Sequence, residues 1–238
     1  MILLKDVQAI IFDMDGVLWH TNSIHQAAYS QVLEPLGISL PDYRSMAGRR
    51  TKEVIKALFN SANLEVTADQ LEQLSVAKQT KANQLIRLNP PFPNSHYSVL
   101  SNLAKHYRLA LASSSSKGNL QLFFEVSHTA KFFEVALSGE DVICAKPSPE
   151  IYLKVLKVLS LRPPDVIVVE DSMNGIRSAY SAGIDVIAMT GTHEREELLS
   201  QTGVIAVIEH LEEFGATTYE DLTDCPPDLT GFKDLSVR

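Results

Sequence analysis

The chain has 238 residues, 45% of them hydrophobic and 21% charged, a balance ordinary for a soluble globular protein and a length that suits one large domain or one domain plus an insert. Its formal net charge of −8 argues against a nucleic-acid partner, because phosphate backbones attract basic surfaces. No stretch approaches 18 apolar residues and the N-terminus has no h-region with a cleavage site, so neither a membrane span nor an export signal is expected. The two cysteines, Cys144 and Cys225, lack metal-ligand spacing and read as free thiols in a reducing, cytoplasmic setting.

Residues 7–12 (VQAIIF) form an apolar, β-branched run that stops at Asp13, the pattern of a buried strand. The rhythm then changes. Residues 20–88 hold no convincing strand and three amphipathic helical stretches, at 23–36, 51–62 and 67–86. Gly37 stands where a helix C-cap belongs, and Thr67 with Gln70 offers a capping box. Asn89-Pro90-Pro91-Phe92-Pro93 is a stiff turn that cannot be helical. Beyond it, apolar runs at 109–112, 166–169, 185–189 and 204–208 alternate with helical patterns at 118–126, 149–160, 174–182 and 194–201. That alternation predicts an α/β fold: a parallel sheet with helices on both faces. The organisation read from it is a Rossmann-like core of 1–19 and 89–238, with a helical domain, 20–88, inserted after the first strand. The tail past about residue 214 has little periodicity and is assigned no function.

The candidate chemistry lies at strand ends, where open parallel sheets bind their ligands. Asp13 and Asp15 follow the first strand, Ser113 the second, and Glu170 and Asp171 a later one. Lys146 lies in the turn before the helix that starts near Pro149. If these strands are neighbours, four carboxylates converge on one pocket, and a cation must offset their repulsion. Oxygen ligands beside a phosphate substrate favour Mg²⁺. Each residue also has a plainer reading. An Asp after a strand is often a turn former, Asp171-Ser172 can simply cap the next helix, and Lys146 can be a solvated charge. The conjunction at the same end of several elements favours the functional reading.

These motifs resemble those of the haloacid dehalogenase superfamily, in the branch that holds β-phosphoglucomutase and phosphoglycolate phosphatase. The resemblance rests on FDMDGVL at 12–18, LALASSSS at 109–116, AKPSPEIY at 145–152 and VVEDSMNGIRSAYSAG at 168–183. It implies an aspartyl-phosphate mechanism, with Asp13 as nucleophile and Asp15 as general acid and then base. It further implies that Ser113 and the N–H groups around Ser114 hold the phosphoryl oxygens, and that Lys146 neutralises charge on Asp13 and the phosphate. Mg²⁺ would be bound by Asp13, the Asp15 carbonyl, Asp171 and Glu170, the last directly or through water. Residues 20–88 match the family's cap domain, in which His25 matches a hinge histidine that contacts the active site.

This chain departs from the pattern at several places. His20 replaces an acid, and Pro93-Asn94 replaces the usual Pro-Gly of the second hinge. The β-phosphoglucomutases carry a cap Arg where Thr51 stands here, and their phosphosugar-gripping Lys aligns with Thr80. Gly48-Arg49-Arg50 still puts two cations in the specificity loop, so Arg49 and Arg50 are candidate substrate contacts. The leading expectation is a phosphatase of a small phosphorylated metabolite. A phosphosugar mutase stands second, a dehalogenase is disfavoured by Asp15 and Glu170-Asp171, and a phosphate-binding regulatory protein is the non-enzymatic alternative.

Overall fold

The computed structural model describes residues 7–215. The tail singled out in the sequence, with Cys225, lies outside the described residues. Six strands form one parallel sheet: β1 (Ala9–Phe12), β2 (Arg108–Ala112), β3 (Phe133–Leu137), β4 (Val166–Glu170), β5 (Asp185–Met189) and β6 (Val204–Ile208). Their order across the sheet is β3-β2-β1-β4-β5-β6. β1 and β4 are buried along their whole length, as strands covered on both faces must be.

Alternate residues feed two cores, following the twofold period of a strand. Ile10, Phe12, Leu111 and Val169 join one cluster with Leu100, Leu103 and Phe123. These last come from α4 (Asn94–Leu103) and α5 (Lys117–Ser127). Ala9, Ile11, Ala110 and Val168 join the other with Tyr152, Val155 and Ile176. They meet α6 (Glu150–Leu159) and α7 (Met173–Ser181); the short α8 (Arg195–Leu199) adds Leu198 to the same side.

Between β1 and α4 come α1 (Asn22–Leu33), α2 (Thr51–Ser61) and α3 (Ala68–Leu88). No strand interrupts them. They share a smaller core of Tyr29, Leu33, Ile38, Met46, Val54, Ile55, Leu58 and Phe59. The Thr67–Gln70 capping box starts α3, and Gly37 takes the left-handed conformation (φ 75°) expected after the first helix. The two connections to the sheet run side by side, with His20 N–H donating to the Pro91 carbonyl at 3.0 Å.

Two elements are absent from the sequence reading. β3 is the edge strand next to β2; Glu134 interrupts its apolar run FEVAL, and only Val135 of its five residues is buried. α4 follows the proline-rich turn and is mostly polar. Its inward residues His96, Leu100 and Leu103 nonetheless fall at i, i+4 and i+7, the spacing of one helix face.

Candidate active site

Strand register decides where the chemistry gathers. Phe12 pairs with Leu111 on one side and with Val169 on the other. Asp13 therefore comes level with Ala112 and Glu170, with Ser113 and Asp171 one step further out. Above this edge a half-open cavity of about 660 Å³ lies between the sheet and the helical insert. Asp13, Asp15, His25, Arg49, Arg50, Ser113 and Ser114 all line it.

Lys146, which the sequence left open as a solvated charge, is buried at the centre. Its ammonium donates to Asp13 Oδ1 and Glu170 Oε1, each at 2.6 Å, and to the Ala112 carbonyl at 3.0 Å. Glu170 is saturated. Oε1 also accepts from the Tyr152 hydroxyl, and Oε2 from the N–H groups of Asp171 and Ser172 and the Ser172 hydroxyl. The close approach needs Gly175 in the first turn of α7, because a Cβ there would lie 1.7 Å from Glu170 Oε1.

Asp13, Glu170 and Asp171 offer ligand atoms that all lie within 4.8 Å of one another. Burial pushes Asp13 well above the usual carboxylate range, and the charges of Glu170 and Asp171 add to this while Lys146 opposes it. Burial, then Glu170, pushes Asp171 up to about 7, with hydrogen bonds from Thr192 and Asn22 pulling the other way. Three buried carboxylates thus face a single ammonium. Hard oxygen donors with uncompensated negative charge fit a small divalent cation. The Asp15 carboxylate stands outside this group.

Asp15 is held from both sides. Its Oδ1 accepts from Trp19 Nε1 at 2.9 Å, Thr21 Oγ1 at 2.6 Å and His25 Nε2 at 3.0 Å, and its Oδ2 accepts from Ser115 Oγ at 2.6 Å. Burial alone would raise its pKa. The charge and hydrogen bond of His25, with the hydrogen bonds of Ser115 and Thr21, outweigh burial and hold it well below the usual range.

His25 therefore touches the site through Asp15 as well as lining the cavity. Its other ring nitrogen lies 3.1 Å from Lys78 Nζ. Lys78 is buried in the cavity wall, 4.5 Å above the Tyr29 ring, and burial lowers its pKa to about 8 against the pull of Asp15. The sequence reading matched the family's cap lysine to Thr80 and did not single out Lys78. Thr80 is exposed and is not among the cavity residues. Two residues along a helix turn the side chain through about 200°, to the opposite face.

The two cap arginines part company. Arg50 donates to the carbonyls of Gly139 and Val142 at 2.6 Å each and of Ile143 at 2.9 Å. Its guanidinium ties the insert to the loop after β3, while its buried Nε–H has no partner among the described residues and Arg50 still lines the cavity. The Arg49 guanidinium makes no hydrogen bond or ion pair among the described residues and faces the same cavity. Ser113 is buried, and its hydroxyl accepts from Ser115 N–H at 3.0 Å. The Ser114 hydroxyl donates to the Gly48 carbonyl at 2.8 Å. The sequence reading missed Trp19, Thr21, Ser115, Lys78 and the Asn22–Thr192 pair. Ser115 lies within the quoted motif 109–116, and Trp19 and Thr21 closely follow the motif 12–18; Lys78 and the Asn22–Thr192 pair carried no motif signal.

Comparison with known proteins points the same way. A family model described as haloacid dehalogenase-like hydrolase matches residues 10–189. A phosphorylated carbohydrates phosphatase of Thermotoga maritima is 30% identical over 207 residues, 85% of this chain and 94% of that protein. A probable pseudouridine-5'-phosphatase of Drosophila melanogaster is 26% identical and covers 92% of this chain and 98% of its own. Among solved structures, a variant of CbbY from Rhodobacter sphaeroides in complex with xylulose-(1,5)bisphosphate superposes with a TM-score of 0.76. It is 25% identical, covering 91% of this chain and 99% of that one.

Proposed function

Because the chain belongs to the haloacid dehalogenase-like hydrolases, we propose that it is a Mg²⁺-dependent phosphatase of a small, sugar-like phosphomonoester, with residues 20–88 as its cap. One observation carries the reading. Asp13 lines a half-open cavity with its charge met by Lys146, and Asp15, two residues on, is held in one orientation by four donors.

In this reading an Asp13 carboxylate oxygen attacks phosphorus, forming an acyl-phosphate as the P–O bond to the leaving group breaks. Lys146 offsets charge on Asp13 and on the incoming phosphate. The N–H groups around Ser114 and the Ser113 hydroxyl receive the phosphoryl oxygens. Asp15 stands ionised in the resting site, the form a base requires. An anionic phosphate beside it raises its proton affinity, so it takes up a proton from solvent as the substrate binds, gives that proton to the departing oxygen and later takes one from the attacking water. Asp13, the Asp15 carbonyl and Asp171 would hold Mg²⁺, with Glu170 behind Lys146 in support, and the ion would supply charge stabilisation at the phosphoryl group.

The names of the similar proteins, a carbohydrate phosphatase and a CbbY solved with a bisphosphate, support a sugar-like substrate. The unengaged Arg49 suits one with a second anionic group. Arg49→Ala should raise KM for such a substrate about tenfold or more, the worth of one charge-assisted hydrogen bond, and leave singly charged substrates little changed. Arg50→Ala should instead lower activity on every substrate alike, because it loosens the cap. Steady-state kinetics on one doubly and one singly phosphorylated sugar separates the two. Arg49→Ala with an unchanged substrate profile would reduce Arg49 to surface charge, and Arg50→Ala with wild-type activity on both substrates would remove its role in seating the cap.

A phosphosugar mutase remains the second reading, because Lys78 in the cap removes part of the argument against it. Phosphate release measured across a panel of phosphorylated metabolites with Mg²⁺ tests both. Release from one or a few sugar phosphates is expected. Isomerised sugar phosphate without released phosphate would favour the mutase, and no reaction from folded, Mg²⁺-bound protein would overturn both readings.

A further inference from the structure

We propose that Asn22 and Thr192 are positioning residues for Asp171, and that Asn22 thereby links the metal site to the seating of the cap. The proposal rests on the reading that a divalent cation binds at Asp13 and Asp171.

The contacts run in one direction. The Thr192 hydroxyl donates its single proton to Asp171 Oδ2. Its oxygen then accepts from Asn22 Nδ2 at 2.7 Å, and the same amide lies 3.4 Å from Asp171 Oδ2. A hydroxyl has one proton to give and lone pairs to receive with, so the chain Asn22 to Thr192 to Asp171 leaves no ambiguity about which group orients which. One carboxylate oxygen is pinned, and the other is left for a cation. Gly16 closes the arrangement. A Cβ on Gly16 would lie 2.0 Å from Asp171 Oδ2 and 3.1 Å from Asn22 Nδ2, and Gly16 has a φ of +92°. The backbone after β1 therefore packs onto the same oxygen, and its position depends on a residue without a side chain.

Asn22 and Thr192 belong to different bodies. Thr192 follows β5 in the sheet domain, whereas Asn22 is the first residue of α1, the helix that opens the insert. The intervening hinge is short: His20 N–H holds the Pro91 carbonyl, and the Thr21 hydroxyl holds Asp15. Any swing of the insert about residues 20 and 21 moves Asn22 away from Thr192. If that contact favours the orientation of Asp171 that receives a cation, the cation must equally favour the seated hinge, because such coupling is reciprocal. Asn22 is not acting as a helix cap, since Thr21 occupies the N-cap position. Replacing it with Ala at the first helical position therefore costs the helix nothing.

The test is calorimetric titration of Mg²⁺ into the full-length protein and its N22A, T192V and T192S variants, with Asp171→Ala as the null. Outer partners of metal ligands are typically worth about 10–100-fold in affinity. N22A and T192V should weaken Mg²⁺ binding on that scale, and T192S, which keeps the hydroxyl, should stay near wild type. Hydrogen exchange gives the second readout. Mg²⁺ should slow amide exchange in residues 17–25 of the wild type and have little effect there in N22A. Wild-type affinity in N22A, or T192S as weak as T192V, would overturn the positioning role. Wild-type hinge exchange indifferent to Mg²⁺ would overturn the linkage to the cap. No Mg²⁺ binding by the wild type would sink the metal reading itself, and this proposal with it.

Discussion

Asp13→Asn is expected to leave a folded protein with no measurable turnover. An amide oxygen cannot form the acyl-phosphate, and removing a covalent nucleophile costs on the order of 10⁶-fold in other enzymes. The substitution should not unfold the chain, for a reason visible in the charge pattern. Asp13 is a buried carboxylate whose pKa is raised by burial and by the neighbouring Glu170 and Asp171. Neutralising it relieves that repulsion, while Lys146 keeps its 2.6 Å pairing with Glu170. The buried ammonium is therefore never left alone, which is the costly outcome. Thermal unfolding followed by circular dichroism should place the variant within a few degrees of wild type, on the usual scale of about 2–4 °C per kcal/mol for a chain of this size. Wild-type turnover in the Asn variant would show the covalent mechanism to be wrong.

Asp15→Asn is expected to behave differently, because it keeps the nucleophile and loses proton transfer. Loss of a general acid–base costs roughly 10²–10⁴-fold. The cost should depend on the leaving group. p-Nitrophenolate needs little protonation to depart, so the first step should survive with this substrate. Hydrolysis of the acyl-phosphate should still stall, because the attacking water has no base. A burst of p-nitrophenol followed by a slow steady state is the expected trace, with no burst from Asp13→Asn. A phosphorylated peptide containing Asp13, trapped from the Asp15→Asn variant, would identify the intermediate by mass. A variant with neither burst nor trapped phosphate, yet substantial steady turnover, would remove Asp15 from the acid–base role. Trp19 offers an optical check, since its indole donates to Asp15 and it is the only tryptophan in the chain. A change in its fluorescence on Asp15→Asn would show that this hydrogen bond is disturbed.

The open parallel sheet and the helical insert were legible in the sequence because each rests on local pattern. Buried parallel strands read as apolar runs, and β1, β4 and β5 are such runs. The edge strand β3 did not stand out, since a strand paired on one side only tolerates a charged residue, here Glu134, in the middle of its apolar run. The same logic gave Asp13, Asp15, Ser113, Glu170 and Asp171, all of which follow the end of an apolar run. Convergence followed from topology: β1 lies between β2 and β4, so three strand ends meet.

What the sequence determined by itself was therefore the class of fold, the position of the insert and the row of groups along the sheet edge. Only the tertiary structure decided what each cation and each polar residue of the insert does. Arg49 and Arg50 are adjacent in sequence and both line the cavity, yet only the Arg50 guanidinium is engaged by core carbonyls. Lys78 and Thr80 differ by two positions on one helix, and only Lys78 reaches His25. Asn22 and Thr192 are separated by 170 residues and meet on one carboxylate oxygen. Local sequence fixes the phase of a helix and the end of a strand. Which partner a long polar side chain finds depends on how two separately cored bodies come to rest against each other, and no periodicity within either body encodes that.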